Sequence, residues 1–124
     1  MKLKLARIAV MGARLTGVIA LLLGVALWLG HAGPFLHAHM GFGILLVVAL
    51  WTLAAIGFST APGLAVLALA WGLLVPGVGF LQLNLLLGEH HWLVQVVHLL
   101  IGLGALAQTE RLAGTIRRQQ VTAF

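Results

Sequence analysis

Val18-Ile-Ala-Leu-Leu-Leu-Gly-Val-Ala-Leu-Trp-Leu29 is an unbroken apolar run. Taken outward from Ile8 to Gly30 it has the length of a membrane-crossing helix, which needs about 20 mostly apolar residues. Three similar stretches follow. His31-Ala-Gly-Pro34 interrupts the first, with proline placed to open a helix, and a second span runs from Phe35 to Phe58. Ser59-Thr-Ala-Pro-Gly63 is a tight, uncharged turn. The third span runs from Leu64 to Leu87 and holds Pro76, which removes a backbone hydrogen bond beside Gly77 and Gly79 and is expected to kink the helix. Gly88 ends it, Glu89-His90-His91 form a turn, and a fourth span runs from Trp92 to Gln108. The tail, 109–124, is polar and is expected to begin as helix and then fray. The pattern predicts an all-α fold, one integral membrane four-helix bundle over residues 1–124.

Composition agrees. Of 124 residues, 62% are hydrophobic and 7% charged, with a mean hydropathy of +1.15. A soluble domain is commonly about a quarter charged, so lipid is the expected solvent for most of this surface. The seven basic residues fall at the two ends of the chain: Lys2, Lys4, Arg7 and Arg14 around the start of span one, and Arg111, Arg117 and Arg118 after span four. An even number of spans brings both groups to one side, and the excess of Lys and Arg makes that side cytoplasmic. Arg14 is expected to snorkel to the interface. Both termini are therefore expected in the cytoplasm, with the chain multi-pass in the inner (cytoplasmic) membrane. The net charge of +5 reports this topology, with attraction to anionic lipid, rather than nucleic-acid binding. A signal peptide is the competing reading of the first 30 residues, but no A-x-A site follows the apolar run, and the segment is expected to stay as span one.

The chain has no cysteine, so it forms no disulfide, thiolate metal site or C-x-x-C-H haem attachment. No P-loop, H-E-x-x-H or nucleophile elbow occurs either. Six histidines remain. His31, His37 and His39 surround the first outer connection, His90 and His91 form the second, and His98 lies inside span four. Rim histidines are hydrated in the headgroup region. An ionisable group within a membrane helix is a functional hypothesis by default, which singles out His98.

Spans two and four run in the same direction. His39 lies five residues after Pro34 and His98 seven after His91, so both sit about 7–10 Å below their helix starts and can face each other at one level. His37 lies about 3 Å higher and points about 160° away from His39; only one of the two can face the bundle axis, and His37 is the alternative. Each candidate has a glycine one turn on, on its own helix face: His39 with Gly43, His98 with Gly102, and His37 with Gly41. A flat group held by such an imidazole meets no Cβ there. Haem iron takes axial imidazoles from facing helices of a bundle in this way. The same glycines also suit plain helix packing, for which membrane helices use small residues.

Through His39-x-x-x-Gly43, His98-x-x-x-Gly102 and the four-span layout, the chain resembles the small four-helix bis-histidine membrane cytochromes b, the di-haem and ferric-reductase-like transmembrane bundles. The resemblance implies non-covalent haem b with His39 and His98 as axial ligands to iron. It also implies electron transfer, by a carrier or a membrane oxidoreductase, with quinone as a candidate partner. Relatives with two haems place histidines near both membrane faces. None lies in the inner half here, so one haem near the outer leaflet is expected.

Gln95, on the face of His98, and Gln82 could hydrogen-bond a haem propionate or a quinone oxygen; Asn84 lies near Gln82, and cross-helix hydrogen bonds are the plainer role for such residues. Gly17, Ala20, Gly24, Trp28 and His31 form a stripe on span one suited to helix contact, within the bundle or between copies in a homo-oligomer. Two other functions compete. Glu89, His90 and His91 with a facing histidine offer imidazole and carboxylate to zinc or copper, for binding or transport. A non-catalytic subunit or assembly factor of a larger membrane complex, placing a haem or chlorin by one histidine, is the other. The chain also resembles small multidrug transporters in length and span count, but lacks the carboxylate within a span on which their proton coupling depends.

Overall fold

A computed structural model describes residues 1–122. They form four helices and no strand: α1 (Lys2–Trp28), α2 (Ala32–Gly57), α3 (Pro62–Leu81) and α4 (His91–Thr122). All four are long and apolar enough to cross a membrane. Each packs on its neighbours around the bundle, and α2 also meets α4 across it, whereas α1 and α3 do not approach each other. The bundle is thus closed along its α2–α4 diagonal.

Small residues set the helix spacing. Ala6, Ala9, Ala13, Gly17 and Ala20 form one buried line down α1. Leu50, Leu53 and Ala54 of α2 are fully buried, as are Ala65 and Ala68 of α3 and Ala105 of α4. Such residues bring backbones close, and in lipid that packing replaces the hydrophobic drive of a soluble core. Two tryptophans use the same device. The Trp51 ring lies across Gly72 and donates Nε1–H to the Leu69 carbonyl at 3.2 Å; the Trp71 ring lies across Gly104 and donates to the Ile101 carbonyl at 2.8 Å. Each indole fills the gap left by a glycine and reaches the carbonyl three residues before it.

The helix bounds depart from those expected in three places. α1 starts at Lys2 rather than Ile8, because Ala6 and Ala9 extend its packing line toward the amino terminus. α3 ends at Leu81 rather than Leu87; beyond Gln82 the chain continues in turns (Leu83 N–H to Phe80 O, Asn84 N–H to Leu81 O), and Leu86 (φ 47°) and Gly88 (φ 106°) then take left-handed backbone that no right-handed helix includes. Asn84 therefore sits exposed in a loop. The polar tail begins as helix, as expected, but stays helical as a continuation of α4 to Thr122, with Leu112, Ala113 and Ile116 buried and Leu112 and Ile116 set against Gly57. Residues 123 and 124 of that tail lie outside the described residues. Arg14, expected at the interface, is joined to Glu110 across α1 and α4 by hydrogen bonds of 2.6 and 2.9 Å.

Candidate functional site

His39 enters α2 in its second turn and His98 enters α4 at the equivalent depth. Since α2 and α4 form the closed diagonal, the two imidazoles meet inside the bundle. Their ring centroids are 6.0 Å apart, with the rings inclined at 64°. Both side chains are half-buried.

Three features fix the rings. His39 donates Nδ1–H to the backbone carbonyl of Ala20 on α1 at 2.8 Å. A carbonyl only accepts, so this bond sets the tautomer and leaves Nε2 with its lone pair free. Gly24, one turn below Ala20, faces the ring: a Cβ there would lie 3.2 Å from His39 Cε1. On the other side Gly79 of α3 faces His98, where a Cβ would lie 3.1 Å from Cε1. The imidazoles thus occupy notches that glycines open in α1 and α3. One turn further in, Cβ atoms built on Gly43 and Gly102 would meet nothing within 4 Å. Nδ1 of His98 is buried without a hydrogen-bond partner. An unpartnered buried polar atom costs about 1–3 kcal/mol, which sets His98 apart from the hydrogen-bonded His39.

The arrangement can offer imidazole nitrogen to a metal ion. An imidazole–metal bond is about 2 Å. Two imidazoles on opposite sides of one metal ion then have centroids about 6 Å apart, each ring adding about 1 Å from its nitrogen. The observed 6.0 Å is of that size, and it is equally the centroid separation of an edge-to-face aromatic pair. A metal-bound histidine commonly donates its other N–H to a backbone carbonyl, as His39 does.

The remaining candidates are dispersed. His37, the alternative to His39, is exposed, and Gly41 faces open space. His31 and His90 are exposed, as is Glu89; His91 is half-buried and donates Nδ1–H to the Leu85 carbonyl at 3.3 Å. Among the described residues no three His, Cys, Asp or Glu side chains converge, so Glu89, His90 and His91 do not assemble a zinc or copper centre with the inner pair. Gln95 is half-buried on α4, and Gln82 caps the end of α3. On the α1 stripe, Gly17 and Ala20 are buried and Gly24 meets His39, while Trp28 and His31 are exposed. Sequence reasoning missed the Ala20 carbonyl and the Gly79 notch. A backbone acceptor leaves no mark in sequence, and Gly79 stood out only as a neighbour of Pro76. Gly24 was visible in the stripe, with its partner unidentified.

No family model, curated protein or solved structure matches this chain.

Proposed function

We propose that the protein is a haem b-binding membrane protein that moves electrons near the outer leaflet, with His39 and His98 as the two axial ligands of one haem. The observation that carries this is the facing imidazole pair, 6.0 Å between centroids, with the His39 tautomer set by the Ala20 carbonyl. The four helices cross the cytoplasmic membrane with both termini inside. Counted from Ala32, His39 then lies about 10 Å below the outer end of α2.

Bound haem iron supplies one-electron transfer. The chain's own residues do the rest. His39 and His98 offer nitrogen to iron from opposite helices, and the Ala20 carbonyl holds the His39 ring in orientation. Gly24 and Gly79 give the rings room, and Gly43 and Gly102, which like Gly41 adjoin open space, would put no Cβ against a flat macrocycle. Gln95, one turn before His98, offers an amide to a propionate or to a quinone oxygen at the outer rim. The low dielectric of the site strengthens each of these contacts.

Haem content tests the proposal. Protein purified in detergent from haem-replete cells is expected to carry one haem per chain, wholly extractable with acid acetone because no cysteine can tether it. Colourless protein that takes up no haem on reconstitution would contradict it.

A further inference from the structure

The opposite end of the bundle carries a second arrangement that haem binding does not use. Arg111, Thr115 and Arg118 lie at intervals of four and three residues, on one face of α4. With Leu64, Glu110 and Gly114 they line a groove of about 410 Å³ between α4 and the first turn of α3. Gly114 leaves its floor open, and a Cβ there would meet only Arg118, at 3.7 Å. Thr115 donates its hydroxyl to the Arg111 carbonyl at 2.9 Å, and Arg118 lies 3.4 Å from that hydroxyl. No side chain caps α3, whose first N–H groups lack a carbonyl within the helix.

The sign of the groove depends on Glu110, one of only two acidic residues in the chain. Its carboxylate is turned to α1 and held by both Nε and Nη2 of Arg14. A bidentate guanidinium–carboxylate pair satisfies the oxygens and cancels the charge. What faces the groove is therefore the positive charge of Arg111 and Arg118. One turn beyond Leu64 on the same face of α3, the exposed side chain of Leu67 continues as an apolar flank.

We infer that this groove binds the phosphate of an anionic phospholipid, with its acyl chains running from Leu64 along Leu67. Two arginines supply the charge and the donors that a phosphate takes, and Arg is suited to it by its planar fork of donors; Thr115, whose hydroxyl is donated to the Arg111 carbonyl, helps to hold Arg118 in place. A free phosphate would use the arginines but leave the apolar flank unused. This rests on the bilayer reading above and is independent of haem.

Native mass spectrometry of the full-length protein, released from detergent holding equal phosphatidylglycerol and phosphatidylcholine, tests it. A phosphatidylglycerol adduct is expected to predominate. Arg111→Gln and Arg118→Gln should each weaken it about fivefold, the expected share of one basic residue near an anionic surface. Lys4→Gln, with the same change of charge outside the groove, should leave it intact. Equal retention of the two lipids would overturn the inference, as would equal losses in Lys4→Gln and Arg118→Gln. Displacement of the lipid by excess inorganic phosphate would overturn it in favour of a free-anion site. Adducts are counted on haem-free and haem-loaded protein alike, and carbonate extraction of membranes tests bilayer insertion separately.

Discussion

His98 and His39 differ from the other four histidines in what their nitrogens can reach. The rim residues His31, His37 and His90 are exposed, and His91 has the Leu85 carbonyl. Nδ1 of His98 has nothing, and Nδ1 of His39 is committed to Ala20. If the inner pair holds haem as proposed, removing either inner ring should act on it, and removing a rim ring should not. His98→Ala is expected to abolish low-spin haem. His39→Ala should abolish it or leave a five-coordinate, high-spin form. His31→Ala, His37→Ala, His90→Ala and His91→Ala should keep the low-spin spectrum. Loss in His37→Ala with retention in His39→Ala would assign the ligand to the wrong face of α2. The depth match of His39 with His98 was legible because helix rise is fixed. The choice between His37 and His39 was not, because it turns on the rotation of α2 about its axis, which packing against α1 decides.

Helices meet here through notches more than through large apolar contacts. Trp71 fits over Gly104 so closely that a Cβ there would lie 2.7 Å from its ring. Gly104→Ala must push the indole aside and strain its bond to Ile101. Overpacking of this kind costs about 1–3 kcal/mol, and the hydrogen bond contributes about 1 kcal/mol more. Gly12 meets nothing within 4 Å, so Gly12→Ala should be neutral or stabilise by up to about 1 kcal/mol through helix propensity. Thermal unfolding in detergent checks the pair, and equal midpoints would contradict the notch. The existence of the four helices was plain from their apolar runs. Their ends were less so, since hydropathy marks where lipid could be and not where a backbone stops. Lys2–Arg7 carries three basic residues yet is helical because Ala6 and Ala9 pack, and 82–87 holds four leucines yet leaves the helix as turns, with Leu86 left-handed.

At the scale of the molecule, charge and histidine separate to opposite ends. The α2–α3 turn meets the carboxyl end of α4, where Gln119 donates to the Thr60 carbonyl at 3.3 Å, and Lys2 lines a cleft with Thr60 and Gln119. The basic halves of α1 and α4 therefore share one end, as an even number of spans demands, and the paired imidazoles lie toward the other. Reporter fusions after Thr60 and at the carboxyl terminus should both report cytoplasm, and a fusion at Glu89 the outside. A carboxyl terminus outside the cell would contradict this topology. The one-sided charge was readable from sequence; the docking of 109–122 as packed helix was not, because its buried positions are few and lie among arginines.

The most direct test is the absorption spectrum of the detergent-purified protein, oxidised and then reduced with dithionite. Two axial imidazoles on one iron should give sharp α and β bands on reduction, characteristic of low-spin haem. A broad high-spin spectrum, or sharp bands that survive in the double variant His39→Ala/His98→Ala, would contradict ligation by this pair.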